Sequence, residues 1–214
     1  MPRIIDLSQP ITANMSVYPG DPAVDVQTAC SYENGGYLVS RIAIGSHSGT
    51  HADAPLHAMP GGKSVTDMGI APYVGFRCLV LDISGFGRMR ELGAGMVRRL
   101  FGEALAGCDG VLIKTGWSAK WGCADYYKAY PGISKEAAAF FVGAGIHIVG
   151  LESPSVSSTA GLRVHRELLS NGVAIVENLT NLGMIAEKYV EFHAVPLSLR
   201  GRDGSPVRAY AIER

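Results

Sequence analysis

The sequence has no surplus of either charge: 19 Lys and Arg balance 19 Asp and Glu across 214 residues. A nucleic-acid or anionic-membrane binder relies on a long-range positive field, and no run of five or more basic residues supplies one locally. Neither nucleic acid nor a membrane surface is therefore an expected partner. Cysteine is sparse. Cys30, Cys78, Cys108 and Cys123 are irregularly spaced and form no C-x-x-C pair, which excludes a disulfide framework or a zinc ribbon and reads as reduced thiols. Long hydrophobic runs are also missing. The longest uncharged apolar stretch, Ala137 to Leu151, is broken by Gly143, Gly145 and His147 and falls short of the roughly 20 residues that cross a bilayer. Met1 to Asp6 lacks the charged-then-apolar pattern of a secretory signal, so a soluble, cytoplasmic protein is expected.

No repeat or low-complexity linker divides the chain, and 47% hydrophobic against 18% charged residues excludes disorder. One domain over residues 1–214 is expected. Turn residues crowd the first 60 or so positions, as in Tyr18-Pro19-Gly20-Asp21-Pro22, Asn34-Gly35-Gly36 and Pro60-Gly61-Gly62. Strands are expected at Tyr37 to Ile44, Cys78 to Ile83, Gly110 to Thr115, Ile146 to Leu151 and Val173 to Glu177. Helices are expected at Met96 to Leu105, at Lys135 to Val142 behind a Ser134 cap, and at Leu162 to Ser170, closed by Asn171-Gly172. Phe192 to Leu199 and Val207 to Ile212 read as a closing hairpin. Helices alternate with strands in the middle while both ends are strand-rich, so the fold class is mixed α/β or α+β rather than a regular doubly wound sheet.

The densest polar segment is Ser46 to His57, which holds His47, His51, Asp53 and His57, three of the six histidines. On extended backbone, His51 and Asp53 share a face and stand roughly 6–7 Å apart. His47 and His51 are about 13 Å apart on a straight strand, too far for one ion. A bend at Ser48-Gly49 brings them together, because glycine accepts backbone angles that other residues resist. Imidazoles with one carboxylate suit zinc, manganese or another first-row divalent ion. The alternative is a surface loop that is merely His-rich.

Two more polar residues sit in apolar patterns. His165 lies three positions from Leu162 and Leu168 and four from Leu169, on the inward stripe of its helix; a hydrogen-bonded core histidine fits that place as well as a ligand does. Glu177 shares a strand face with Val173 and Ile175. A carboxylate buried there needs a partner or a cation, and exposure at the strand end is the alternative. Together, His47, His51, Asp53, His165 and Glu177 offer ligands for one or two divalent ions. His57 is left over beside them, placed to act as general base and acid. No G-x-S-x-G elbow points to a serine nucleophile. Gly62-Lys63-Ser64 lacks the glycine a P-loop needs five residues earlier, where His57 stands.

The string His47-Ser48-Gly49-Thr50-His51-Ala52-Asp53-Ala54-Pro55-Leu56-His57 resembles the H-x-G-T-H-x-D-x-P-x-H motif of the cyclase family, which contains bacterial kynurenine formamidases and isatin hydrolases. Ile5-Asp6-Leu7-Ser8, Tyr18-Pro19-Gly20-Asp21, Thr115-Gly116-Trp117, Ser153-Pro154-Ser155-Val156 and Ser205-Pro206-Val207-Arg208 resemble its other landmarks, so the likeness spans nearly the whole chain. The resemblance implies a compact β/β/α swivelling fold assembled as a homo-oligomer, a dimer or tetramer. It implies that His47, His51 and Asp53 bind one metal and that His165 and Glu177 complete a second site, with Asp53 and Glu177 shared. His57 is then the proton donor and acceptor, and Tyr18 lines the substrate pocket. The chain departs from the bacterial kynurenine formamidases it resembles in having Tyr18 where they typically carry tryptophan and Glu152 to Ser157 where they usually carry D-T-P-S-V-D. Isatin hydrolases often place glutamine at the Glu177 position.

The expected function is metal-dependent hydrolysis of a non-peptide amide C–N bond in a small molecule, arylformamidase-like, through a metal-activated water with His57 as acid and base. The alternatives are a cyclic amide or lactone hydrolase and a non-catalytic metal-binding protein. Trp117 and Phe192 are weaker candidates, beside Tyr18, for an aromatic pocket wall, since large aromatics mostly fill cores.

Overall fold

The computed structural model describes residues 1–86 and 89–214. In chain order it places β1 (Arg3–Asp6), then a hairpin of β2 (Asp25–Cys30) and β3 (Val39–Ala43) with the one-turn helix α1 (Tyr32–Gly35) between its strands. Next come β4 (His51–Asp53), the one-turn helices α2 (Pro55–Ala58) and α3 (Val65–Met68), and β5 (Phe76–Asp82). The middle of the chain supplies β6 (Glu91–Leu92), α4 (Ala94–Phe101), β7 (Gly110–Lys114), β8 (Gly132–Ile133), α5 (Lys135–Gly143) and β9 (Ile148–Leu151). The remainder forms α6 (Arg163–Ser170), β10 (Ala174–Glu177), β11 (Tyr189–Pro196) and β12 (Gly204–Glu213).

Seven strands follow one another in the order β12-β11-β5-β7-β9-β10-β4, and β4 pairs back onto β12 to close a barrel. β5, β7, β9 and β10 run parallel, while β11 and β4 pair antiparallel with their neighbours. β12 is long enough to hold β1 and β4 end to end along one edge. The parallel strands read as nearly continuous apolar runs because both of their faces are covered. Inside the barrel pack Ala52, Cys78, Leu112, Ala174, Val176, Phe192 and Ala209. Outside it, Leu79, Val111, Ile113, Val149 and Ile175 meet Val97, Phe141, Val164 and Leu168 of the helices.

The helix signals act as the sequence suggests. Ser134 Oγ accepts from Ala137 N at 3.1 Å at the start of α5, and Gly172 takes φ +77° just after α6. The helix expected from Met96 to Leu105 stops at Phe101, and a separate 3-10 turn covers Glu103–Leu105. Gly102 divides the two segments. The strand β2, which lies within the turn-rich stretch, was not expected. No helix among the described residues is long and apolar enough to cross a membrane.

Candidate metal centre

The alternation of strand faces places the polar cluster. Ala52 points into the barrel, so His51 and Asp53 on either side of it face outward, toward α6. Val176 likewise points inward and Ile175 outward, which puts Glu177 on the outer face. Glu177 and His51 are register partners across the β4–β10 pair. α6 lies over this face with Val164, His165, Leu168 and Leu169 buried, and α2 is tied to it by Arg166 Nε donating to the Ala58 carbonyl at 2.9 Å. Glu177 is 3% exposed and His165 3%. Burial therefore overrides the exposed strand end that the sequence left open for Glu177.

His47 joins them through a turn. Gly49 adopts φ +65°, a left-handed conformation that side-chain-bearing residues resist, and the His47 and His51 rings end up with centroids 4.9 Å apart. The expected bend is thus present. Pro55 at the first turn of α2 then ends the strand and carries His57 back over the cluster, its ring centroid 4.2 Å from that of His47 and 5.5 Å from that of His165.

The donor atoms crowd around a common region. His47 Nδ1 is 2.9 Å from Asp53 Oδ1, and His51 Nε2 is 3.4 Å from both Asp53 Oδ1 and Glu177 Oε2. His165 Nε2 is 3.3 Å from Glu177 Oε1 and 3.6 Å from Asp53 Oδ2. Both oxygens of the wholly buried Asp53 nevertheless lack an aligned hydrogen-bond donor among the described residues. A carboxylate stripped of water and left without donors is costly unless a cation takes their place. Donors about 2.0–2.2 Å from one tetrahedral ion stand roughly 3.3–3.6 Å from each other, close to most of these separations. The residues fit a divalent metal. His51, Asp53 and Glu177 form one compact donor group and His47, Asp53 and His57 a second; His165 joins them through Glu177 and Asp53, so all six side chains predicted for the metal chemistry converge.

The remote atoms of the donors are held in place. His51 Nδ1 donates to the Gly49 carbonyl at 2.9 Å, an oxygen that also accepts from Asn178 Nδ2. Asn178 Oδ1 in turn accepts from the buried Tyr126 hydroxyl at 2.8 Å. Glu177 Oε1 accepts from Val156 N at 2.7 Å. His47 Nε2 meets Asp203 Oδ2 at 2.9 Å.

Electrostatics follow from this packing. Burial works against a charged His51, but the adjacent Asp53 and Glu177 carboxylates override it and push its pKa up to about 10. Burial likewise opposes the charged forms of His47 and His165, and their carboxylate neighbours again raise both. Burial would raise Asp53, yet His47 and His51 hold it well below the usual carboxylate range. Glu177 is raised by burial and by Asp53 but brought below its ordinary value by His165 and His51. His57 differs: burial, with the histidines His47 and His165 beside it, outweighs the carboxylates and lowers its pKa. Its side chain is 27% exposed, against 3% for His51 and 4% for His165.

The cluster opens into a cavity of about 520 Å³ lined by Tyr18, Tyr127, Leu162 and by His47, His51, His57, His165 and Glu177, within the range of small-molecule sites. Tyr18 packs edge-on against Tyr127 with centroids 5.7 Å apart and reaches Tyr130 with its hydroxyl at 3.4 Å. Two aromatic candidates lie elsewhere. Phe192 is fully buried inside the barrel, because its position on β11 points inward. Trp117 turns its indole Nε1–H to the Tyr126 carbonyl at 2.9 Å and carries Lys120 on its face. Tyr127, Asn178 and Asp203 were missed by the sequence reading. The Asp-Gly pair at 203–204, just ahead of Ser205-Pro206, was the only available signal for Asp203.

Comparison with known proteins agrees with this geometry. The Cyclase family model, described as "Putative cyclase", matches residues 5–158. A Bacillus cereus protein named kynurenine formamidase is 32% identical over 208 residues, covering 96% of this chain and 95% of its own length. A solved structure described as a potential metal-dependent hydrolase with cyclase activity superposes with a TM-score of 0.81 at 26% identity, over 100% of this chain and 99% of that one. Isatin hydrolase A from Labrenzia aggregata shares the fold, with a TM-score of 0.86 at 24% identity over 99% and 93% of the two chains.

Proposed function

The chain belongs to the cyclase family, and from that premise we propose that it is a metal-dependent hydrolase of non-peptide amide C–N bonds, arylformamidase-like in its chemistry. The observation that carries this reading is the convergence of four buried donors and the partly buried His47, with both Asp53 oxygens unpartnered among the described residues, beside a cavity that also presents the half-buried His57. A closed structural site has no use for that cavity or for a fourth, more exposed imidazole.

His47, His51, Asp53, His165 and Glu177 would hold the metal, zinc or manganese, as one ion or two. The chemistry a divalent ion would supply there is polarisation of a carbonyl oxygen and a lowered pKa for water near neutral pH. His57 is neutral at that pH, since its pKa is lowered, and so takes the proton from the attacking water. It returns the proton to the departing nitrogen, which leaves as a neutral amine. Tyr18 and Tyr127 form an aromatic wall suited to an aryl group.

The chain works as a homo-oligomer, a dimer or tetramer. The β2–β3 hairpin supports this: Tyr32, Tyr37, Leu38 and Ile42 are 55–68% exposed on it, and a two-stranded ribbon with so little of its own core gains stability by packing on another surface. The four cysteines stand unpaired, which favours a reducing compartment such as the cytoplasm. The balanced charge favours a small-molecule substrate over nucleic acid or membrane.

Metal analysis of the purified protein followed by assay with N-formylkynurenine, isatin and a simple lactam tests the proposal. Bound zinc or manganese and hydrolysis of the N-formyl substrate are expected. Full activity after exhaustive chelation overturns the mechanism.

A further inference from the structure

Asp203 belongs to none of the elements that supply the expected ligands. It is the last residue of the β11–β12 connection, and barrel closure brings it there, because β12 pairs with β4. The connection is fastened on both sides of the histidine segment. Ser46 Oγ donates to Asp203 Oδ1 at 3.1 Å, and Ala54 N donates to the Asp203 carbonyl at 2.9 Å. The free carboxylate oxygen, Oδ2, then faces two imidazoles: it is 2.9 Å from His47 Nε2 and 3.8 Å from His57 Nδ1. The next residue is shaped to the same ring. A β-carbon on Gly204 falls 2.6 Å from His47 Cε1, so only glycine lets His47 lie against the strand.

His47 has two nitrogens, and the structure gives each a separate neighbour: Nδ1 faces Asp53 Oδ1 within the donor cluster and Nε2 faces Asp203. We propose that Asp203 is a positioning residue that accepts the Nε2–H of His47, fixing the tautomer and ring orientation that turn Nδ1 toward the metal. A carboxylate behind a ligating imidazole also makes the ligand more basic, and loss of such a partner typically weakens metal affinity or activity about 10–100-fold. His51 has a carbonyl and the Asn178 side-chain amide in the equivalent place, and His165 Nδ1 has no partner among the described residues. Among the described residues, Asp203 is thus the one carboxylate that grips a ligand imidazole from behind. The inference rests on the metal-dependent reading above.

The test uses the full chain loaded with zinc. Chelator competition measures zinc affinity in the wild type, Asp203→Ala and Asp203→Asn, and 15N-edited NMR of the wild type locates the remaining His47 proton. The expected results are a proton on Nε2 protected from exchange, a 10–100-fold loss of affinity in Asp203→Ala, and recovery of most of it in Asp203→Asn, whose amide oxygen still accepts. Equal affinity in wild type and Asp203→Ala overturns the inference. So does a wild-type His47 that carries its proton on Nδ1, a result that holds even if the alanine variant fails to fold. A wild type that binds neither zinc nor manganese overturns the hydrolase reading itself.

Discussion

His51 and Glu177 face each other directly across the antiparallel β4–β10 pair, with Nε2 3.4 Å from Oε2, and both are almost wholly buried. Without a metal, this arrangement keeps His51 protonated, its pKa pushed up to about 10 from an ordinary 6.5. A raised folded-state pKa contributes stability that is complete below the unfolded value and is lost as pH rises through the folded one. The metal-free protein is therefore expected to lose melting temperature as pH climbs from about 6.5 to about 10. Zinc affinity is expected to move the opposite way, rising over the same interval, because the histidines must shed protons to bind. Calorimetric titrations with zinc in buffers of different ionisation enthalpy should report proton release near neutral pH. Zinc binding without proton release counts against the cluster as drawn.

Replacing His57 with alanine separates its two conceivable roles. His57 stands close enough to His47 and Asp53 to share an ion with them, yet its side chain is far more exposed than those of His51 and His165. As acid and base, its loss should leave metal content intact and lower hydrolysis by about a hundredfold or more. Loss of bound metal in the same variant makes it a ligand instead.

Much of this site was legible because it is local. Three histidines and an aspartate within one short segment declare themselves, and Gly49 marks the bend their convergence requires. His165 and Glu177 were legible only as polar residues on apolar faces, a pattern that fits a satisfied core group equally well, until the family resemblance gave them a role. Asp203 was hidden for a topological reason: it meets His47 only because β12 closes the barrel against β4, a pairing between segments about 150 residues apart that no periodicity encodes. Phe192 fails as a pocket wall for a related reason. Alternation fixes which face a residue takes, but not which face of a closed barrel borders the cavity. The strand order was likewise out of reach, whereas the parallel strands themselves stood out as continuous apolar runs.

Gly49→Ala tests the turn that joins His47 to His51. At φ +65° a β-carbon costs about 1–2 kcal/mol, and it also sits 3.3 Å from Met15 Cε. Chemical denaturation of the metal-free protein should register a loss of that size. The effect on metal should exceed what stability alone predicts, because relaxing the turn draws the two imidazoles apart. A variant that is destabilised but keeps full zinc affinity shows that the turn serves the fold and not the site.

Under the proposed function, Tyr18 meets the aryl part of the substrate in the cavity it lines. It lies edge-on to Tyr127 and lines the cavity without touching the donor atoms through any hydrogen bond among the described residues. Truncation to alanine should leave metal content and kcat nearly unchanged while raising KM, the signature of binding energy shared equally by ground and transition states. An aromatic contact is worth about 0.5–1.5 kcal/mol, so the rise should be roughly two- to tenfold. Tyr18→Trp provides the complementary arm, since it enlarges the aromatic surface at the same place. If the aryl group stacks on this wall, the larger indole should lower KM for N-formylkynurenine, whereas Tyr18→Phe should change little unless the hydroxyl near Tyr130 is itself a contact. A fall in kcat with unchanged KM on truncation places Tyr18 in the chemistry rather than in recognition, and the substrate's aromatic ring must then be sought against Tyr127 and Leu162.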